Sequence, residues 1–426
     1  MPISRIALVL FGLVLGCAAH AGGPTIVRIA NHTTPNPGGY PPGYPQGTLS
    51  GFSRPMADGD QVTFRANVQL QPNTSTDGGI YRGDGGPLTV IADVFTSTPG
   101  GGGNLGAQWG ISLGAERVAF TALTQASDYV LLAFDGASLL RIADDDDPAP
   151  SGSHPYNGFG MTAIDGDDIA FVAWEQVSYR PGLYLHSGGG TTLIAAGGMP
   201  LPEDPGHNFQ RIDGDNLALE AGLIAFVHEN SSAEEPIGIY RHSGGITSRV
   251  VDLSTPVPGG TGSFTDLQIS GHPMLALDRG RILFEGVDGA GKPGLYLAEN
   301  GTLSRVLSTD ANRPPGVATI HSFRGFDLHG QVVVFAAEVS WARSGEQPQG
   351  VSGPIVLCAL TPAGYEFIAR TGDALDGYVV QSLYLSPHSF DSGRVAFEAH
   401  SQADWNIGGV YRTTVDWIFG DGTEGP

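Results

Sequence analysis

Three kinds of side chain in this sequence could carry chemistry: scattered histidines, several tryptophans and a run of aspartates. His154, His207 and His321 each lie close to a segment rich in Pro and Gly. Two or three imidazoles that converge in space could bind a metal ion or act as acid and base. No HxH or HxxxH spacing supports such a site, so ordinary loop histidines are the alternative interpretation.

The aspartates form four consecutive carboxylates in one predicted loop: Asp144, Asp145, Asp146 and Asp147. Hard cations prefer several oxygen ligands, so calcium is the one cofactor that this run indicates. The D-x-D-x-D-G pattern of a dedicated calcium loop is not repeated along the chain. A solvated acidic loop without metal is the alternative, and the sequence identifies no other cofactor.

The tryptophans are the third group of candidates. Trp174, Trp341 and Trp405 fall at the ends of predicted strands or in the loops that follow them. Aromatic rings in such places can stack on sugars or anchor a protein partner, and packing between sheets is the alternative. The sequence contains no nucleophile elbow, phosphate-binding glycine loop or zinc-protease helix motif, which favours binding over catalysis.

A repeat that returns seven times along the 426 residues must position these side chains. Each copy has an apolar strand around a Phe, then a strand of the GIY or GLY type, then a strand near Ile-Ala and a Pro-Gly loop. These Phe residues lie 51 to 62 residues apart, at Phe64, Phe120, Phe171, Phe226, Phe284, Phe335 and Phe397. Such a repeat is typical of propeller blades. The sequence predicts an all-β, seven-bladed β-propeller over residues 22–415, with four antiparallel strands per blade.

The two outer strands of the repeat are out of phase along the chain. Third strands are marked by Tyr81, Leu132, Tyr184, Tyr240, Tyr296, Leu357 and Tyr411. Fourth strands end at Ile29, Ile91, Ile142, Ile194, Val251, Leu307 and Ile368. The chain thus opens on a lone fourth strand, 25–30, and finishes on a third strand, 409–413. We expect the N-terminal strand to complete the last blade and close the ring, which removes an exposed sheet edge.

Antiparallel strands place the connections alternately on two faces of such a ring. Turns from first to second and from third to fourth strands are short, and their side is called the turn face below. Connections from second to third strands and between blades are longer and less alike, and their side is the loop face. Because variable loops usually carry binding, we expect any ligand on the loop face near the channel mouth, where the histidines, tryptophans and aspartates fall.

Several repeats share a glycine shortly before an apolar-Phe strand. The clearest copies are DGDDIAF at 165–171, AGLIAF at 221–226 and SGRVAF at 392–397, and looser copies are DRGRILF at 278–284 and HGQVVVF at 329–335. These segments resemble a family of tandem-repeat domains in exported bacterial proteins whose members end in different surface anchors. The resemblance implies a secreted propeller and brings no established activity. The segment 416–426 is predicted to be a short tail.

The first residues look like an export signal. Arg5 precedes a short apolar run, and Ala19-His20-Ala21 fits a cleavage site, so residues 1–21 are predicted to be a signal peptide. A lipoprotein anchored through Cys17 is the alternative. Either way the protein is expected to be exported, extracellular or periplasmic, without a transmembrane segment in the mature chain. Cys358 would then be the single cysteine, so no intramolecular disulfide is predicted.

The formal net charge of −22 argues against nucleic acid as a partner. Two functions remain. The first is a non-enzymatic, monomeric binding or adhesion module for an extracellular glycan or protein, which needs only a rigid ring and varied loops. The second is an extracellular lyase or hydrolase that acts on acidic polysaccharides, which would need His, Tyr or carboxylate side chains to converge at the channel mouth. Regular repeats without one chemically distinct blade favour the first.

Overall fold

The computed structural model describes residues 24–38, 47–71, 74–150, 154–176, 181–230, 236–267, 275–342, 353–401 and 407–415. Within these residues the chain forms strands and turns only, and no helix there is long and apolar enough to cross a membrane. The predicted signal peptide, Cys17 within it, and the predicted tail 416–426 lie outside the described residues.

The predicted seven-bladed propeller is confirmed. The strands of blades 1 to 4 follow one another from the central channel outward. Following β1 (Val27–Asn31), they are β2 (Thr48–Asp58), β3 (Gln61–Gln71), β4 (Thr74–Gly83) and β5 (Thr89–Asp93) in blade 1; β6 (Leu105–Gly114), β7 (Arg117–Thr124), β8 (Tyr129–Phe134) and β9 (Leu139–Asp144) in blade 2; β10 (Tyr156–Asp165), β11 (Asp168–Glu175), β12 (Pro181–Ser187) and β13 (Gly190–Ala196) in blade 3; then a hairpin of β14 (Pro200–Leu201) and β15 (Asp204–Asn208); and β16 (Arg211–Glu220), β17 (Leu223–Glu229), β18 (Pro236–Ser243) and β19 (Ile246–Asp252) in blade 4.

Blades 5 to 7 continue the same order, although the inner strand of blade 7 is divided in two. The strands are β20 (Leu275–Asp278), β21 (Arg281–Val287), β22 (Pro293–Glu299) and β23 (Thr302–Ser308) in blade 5; β24 (Val317–His329), β25 (Val332–Trp341), β26 (Ile355–Thr361) and β27 (Gly364–Arg370) in blade 6; a hairpin of β28 (Ala374–Leu375) and β29 (Tyr378–Val379); and β30 (Ser382–Tyr384), β31 (Phe390–Asp391), β32 (Arg394–His400) and β33 (Gly408–Thr414) in blade 7.

The ring closes as the sequence predicts. β1 forms the outer strand of blade 7, antiparallel to β33, with Val27 opposite Arg412 and Asn31 opposite Gly409. The residues at this junction are buried, since Ile29 and Ala30 pack with Val410 and with the core of blade 1. The N-terminal strand therefore completes the last blade, and residues far apart in sequence share one sheet.

Aromatic pairs hold the second and third strands of most blades together. The marker Phe of the second strand lies opposite the third-strand Tyr, as in Phe171 and Tyr184, whose rings stack with centroids 5.4 Å apart. In blade 6 the partner of Phe335 is Cys358 rather than the predicted Leu357, because the register places the marker position one residue later. All seven marker Phe side chains are fully buried, so each blade contributes a rigid wedge to the core.

Every outer strand carries a β-bulge at the same height. The extra residue is β-branched in all seven blades: Ile29, Ile91, Ile142, Ile194, Val250, Val306 and Ile368. The markers Val251 and Leu307 predicted from sequence therefore lie one residue beyond the bulge. A bulge bends a strand and increases its twist, which makes an exposed edge a poor template for pairing with another chain.

Removal of residues 24–31 should lower the melting temperature by many degrees. The truncated chain loses the burial of Ile29 and Ala30, worth roughly 2–3 kcal/mol, and leaves β33 as a bare edge. Calorimetry and light scattering on the full-length and truncated proteins measure the two effects. An unchanged melting temperature without aggregation would contradict ring closure through β1.

Candidate functional site

The three predicted histidines do not meet in space. His207 lies in the β14–β15 hairpin with its side chain 75% exposed, and its Nδ1 is 2.9 Å from Asp204 Oδ2. The neighbouring Glu203 reaches to 3.9 Å from Arg249, so this hairpin lies along the outer strand of blade 4 rather than at the channel mouth. His321 is exposed on β24 in blade 6, and His154 precedes β10 in blade 3. Among the described residues, no three His, Cys, Asp or Glu side chains form a metal-binding group.

The tryptophans pack within the ring. The Trp174 indole lies against Gly160 and Gly214 of two neighbouring inner strands, so closely that a Cβ at either glycine would contact it. The Trp341 ring lies 6.2 Å from that of Phe367, against the core of blade 6. Trp405 lies outside the described residues. The packing interpretation accounts for both described rings, and ligand binding by them stays a prediction.

The run of four aspartates forms a turn that recurs after several outer strands. Asp144 N–H donates to Asp147 Oδ2 at 2.9 Å, and Asp145 Oδ2 accepts from Tyr129 N–H at 3.0 Å. The same turn is built by a side-chain hydroxyl elsewhere: Asp93 N–H to Thr96 Oγ1, Asp252 N–H to Thr255 Oγ1 and Asn31 N–H to Thr34 Oγ1. Asp144 thus takes the position that other blades fill with Asp or Asn, and Asp147 takes the position that they fill with Thr. Calcium binding here stays a prediction.

A larger concavity lies on the turn face. The inner strands end there around a funnel of about 300 Å³ that residues of all seven blades line. The last residue of the inner strand is acidic in five blades, namely Asp58, Asp165, Glu220, Asp278 and Asp391. Gly114 takes this position in blade 2 and His329 in blade 6. The funnel therefore has a rim of carboxylates, termed the carboxylate rim below.

Each carboxylate of the rim ties its blade to the next one. One oxygen accepts a hydrogen bond from a backbone N–H in the neighbouring turn. The pairs are Asp58 with Glu116 at 2.9 Å, Asp165 with Ala221 at 2.6 Å, Glu220 with Gly280 at 3.2 Å, Asp278 with Gly330 at 3.1 Å and Asp391 with Gly59 at 2.8 Å. In blade 6, Asp327 takes over this role two residues earlier and accepts from Phe390 N–H at 2.8 Å. These bonds fix the geometry of the rim.

His329 replaces a carboxylate of the rim. Its Nδ1 lies 3.6 Å from Asp278 and 3.8 Å from Asp391, the rim residues of the two flanking blades. Beneath it, burial raises the pKa of Asp327 to about 7, with the negative charges of Asp278 and Asp391 adding to the effect and two backbone N–H bonds opposing it. Burial also raises the pKa of Asp58. Negative charge is therefore concentrated at this end of the channel, and positively charged groups compensate only part of it.

The funnel narrows to a throat inside the ring. Its walls include the apolar side chains of Met56, Met161 and Leu217 and the polar ones of Arg54 and Asp215. His388 lines both the funnel and the throat, so the two spaces adjoin at this residue. The space between the throat side chains admits little more than a water-sized group.

The sequence model of a family of unknown function, DUF7453, matches residues 112–340, which run from the end of β6 to the end of β25. This protein belongs to the DUF7453 family. The match covers more than half of the chain and begins and ends inside blades, which is consistent with a ring that has no internal boundary. No functionally curated protein matches the chain in sequence.

Solved propellers of several kinds are similar to the chain in architecture. The propeller domain of the Trilobed protease from Pyrococcus furiosus is 10% identical over 86% of this chain and 94% of its own, with a TM-score of 0.49. An uncharacterized protein from Listeria monocytogenes is 11% identical over 84% and 93%, with a TM-score of 0.42. The Aleuria aurantia lectin is 13% identical over 81% and 97%, with a TM-score of 0.34. No property of these proteins is transferred to this chain.

Asp391→Ala should destabilise the protein by roughly 1–2 kcal/mol, because the Gly59 N–H loses its acceptor at the closing junction. Asp391→Asn keeps an acceptor oxygen and should cost clearly less. Urea denaturation of both variants measures the difference. Asp167→Ala, which removes an exposed partner of Arg117, is the matched control and should change little. Equal effects of the Ala and Asn variants at position 391 would refute the inter-blade bond.

The stability difference between wild type and Asp327→Asn should depend on pH. The folded-state pKa of Asp327 lies above its unfolded value, so the folded protein holds this proton more tightly. The stabilisation from proton binding is present below about pH 4 and is lost as pH rises toward about 7. Wild type should therefore lose stability relative to the variant across this window in urea titrations. A difference that stays constant with pH would rule out a buried, protonatable Asp327.

Proposed function

We propose that this protein is an exported, non-enzymatic binding module that holds a glycan or protein ligand at the mouth of its central channel. The funnel on the turn face is the observation that supports this proposal most. Ligand sites are usually concave and largely pre-formed, and this one collects residues from every blade. The bonds between rim carboxylates and backbone N–H groups hold it rigid without any ligand.

The charge of the funnel narrows the class of ligand. Asp58, Asp165, Glu220 and Asp391 surround the opening, and one oxygen of each is bound to the neighbouring blade. Such a rim attracts amines, guanidinium groups and neutral hydroxyl groups, and it repels polyanions. An acidic polysaccharide, the substrate expected for the enzymatic alternative, is therefore poorly suited to this opening.

Three titratable side chains inside the blades are unsuited to acid–base catalysis near neutral pH. Burial raises the pKa of Tyr240 and Tyr296 to about 12, so neither supplies a base near neutral pH. Burial lowers the pKa of His228 to about 4, so this histidine is neutral and accepts a hydrogen bond from Gln210 N–H at 2.9 Å. These groups serve packing and hydrogen bonding inside the blades.

A glycan array read beside a turnover assay on the same glycans tests the proposal. We expect binding without turnover. The triple variant Asp58→Asn, Asp165→Asn, Glu220→Gln removes three charges and keeps an acceptor oxygen for each inter-blade bond, so it should fold and lose at least tenfold in affinity, about 1.4 kcal/mol. Asp146→Asn, at an exposed carboxylate of the acidic turn, is the control and should bind as wild type does.

Two results would count against the proposal. Turnover of any glycan on the panel would favour the enzymatic alternative. Binding that survives the triple variant but is lost in Trp174→Ala or His321→Ala would place the ligand on the loop face instead, where the sequence alone predicts it.

A further inference from the structure

Arg54 has a backbone conformation that suits glycine. Its φ is +55°, in the left-handed region that L-residues with side chains seldom adopt. Arg54 lies four residues before the end of its inner strand. At the same position blade 2 has Gly110 with φ +63°, and blade 6 has Gly325 with φ +125°. The chain therefore carries an arginine, with strain, where two other blades carry glycine.

The Arg54 side chain forms no hydrogen bond with the described residues, although its backbone does. The backbone N–H of Arg54 donates to Glu398 Oε1 at 2.8 Å, and the other oxygen of Glu398 lies 3.2 Å from His400 Nε2. The guanidinium lines the throat, and no acceptor among the described residues hydrogen-bonds to it. Burial lowers the Arg54 pKa, while the charges of Asp215 and Glu398 raise it, yet an arginine stays charged in either case. A desolvated charge without a hydrogen-bond partner is unfavourable.

Two further polar side chains in the throat have hydrogen-bonding capacity that the described residues do not use. Asp215, from blade 4, is exposed to the channel, and no ion pair joins it to Arg54 within the described part of the chain. Ser386, from blade 7, is only 7% exposed and lines the same space. Its hydroxyl has no hydrogen-bond partner among the described residues. Donors and an acceptor therefore face one another across a gap that the protein leaves unfilled.

The charges on either side of this gap select a neutral occupant. Arg54 repels a cation, and Asp215 together with Glu398 repels an anion. A hydroxyl group can accept from the guanidinium and donate to the carboxylate at once. Met56 and Leu217 also line this space, which is wide enough for one hydroxyl group and too small for a whole sugar ring.

We propose that Arg54, Asp215 and Ser386 form a hydroxyl-binding subsite that receives one terminal hydroxyl group of a neutral saccharide or polyol bound in the central channel. This inference rests on the proposed binding function and specifies its ligand as a neutral glycan. Strained backbone conformations often occur at binding sites. Ligand binding by the Arg54 side chain would explain why the chain keeps a strained residue at this position.

Isothermal titration with glycerol and a panel of neutral methyl glycosides, read beside thermal melts, tests the subsite. Arg54→Gly should lose at least tenfold in affinity while its melting temperature stays equal or rises by a few degrees, because glycine relieves the strain. Asp215→Asn should also lose at least tenfold. Ser127→Gly is the matched control: Ser127 has φ +72° in an exposed turn, so the same relief of strain should leave affinity unchanged.

The possible failures can be told apart. A drop of several degrees in the melting temperature of Arg54→Gly would make Arg54 a structural residue and overturn the subsite. Neutral glycosides bound equally by wild type, Arg54→Gly and Asp215→Asn would overturn it as well, and so would a wild-type protein that binds none of them. In these three cases the proposed binding function still stands or falls by the glycan array and turnover assay.

Discussion

The pairing of β1 with β33 is the interaction on which the rest of the molecule depends. It joins the two ends of the described chain in one sheet and brings the inner strands of blades 7 and 1 side by side. Several polar contacts then become available at that junction. Arg54 N–H donates to Glu398, Gly59 N–H donates to Asp391, and Asp60 pairs with an arginine of β32 at 2.7 Å. None of these contacts could form in an open array of blades.

A closed ring also explains how the rim can both join the blades and line the funnel. Each rim carboxylate uses one oxygen to join neighbouring blades, so the ring that holds the protein together also lines the opening. The junction between blades 2 and 3 differs, because the inner strand of blade 2 ends in Gly114 and offers no carboxylate. A side chain at Gly114 would collide with the carbonyl oxygen of Ile164, so the backbones approach closely there, and Ser112 bonds to Thr162 at 2.7 Å instead. Stability and the proposed binding thus depend on the same strand ends.

The architecture could be predicted from the sequence because its causes are local and repeated. Phe and Tyr at fixed positions mark each blade, and an unpaired strand pattern at each end indicates the closure. The register could not be predicted as well, since a bulge shifts the pairing by one residue without changing composition. Leu357 and Cys358 are both apolar, and only the ladder shows that Cys358 lies opposite Phe335.

The residues of the candidate site were harder to predict for a related reason. Acidic residues before short turns, such as Asp165, look like ordinary turn formers, and their convergence depends on seven blades meeting at one axis. The signal was an acid at the same place in five repeats. Arg54 carries no sequence signal except that it takes a glycine position of other blades. His154, His207 and His321 fall in three different blades or connections, and among the described residues they form no metal-binding group.

Native-state hydrogen exchange of the β1 amides tests ring closure most directly. If β1 is an integral strand of blade 7, the amides that pair with β33 should exchange only when the whole protein unfolds, at the same free energy as amides of the buried strand β11. Exchange of the β1 amides at a much lower free energy than those of β11, with β1 opening on its own, would contradict the account.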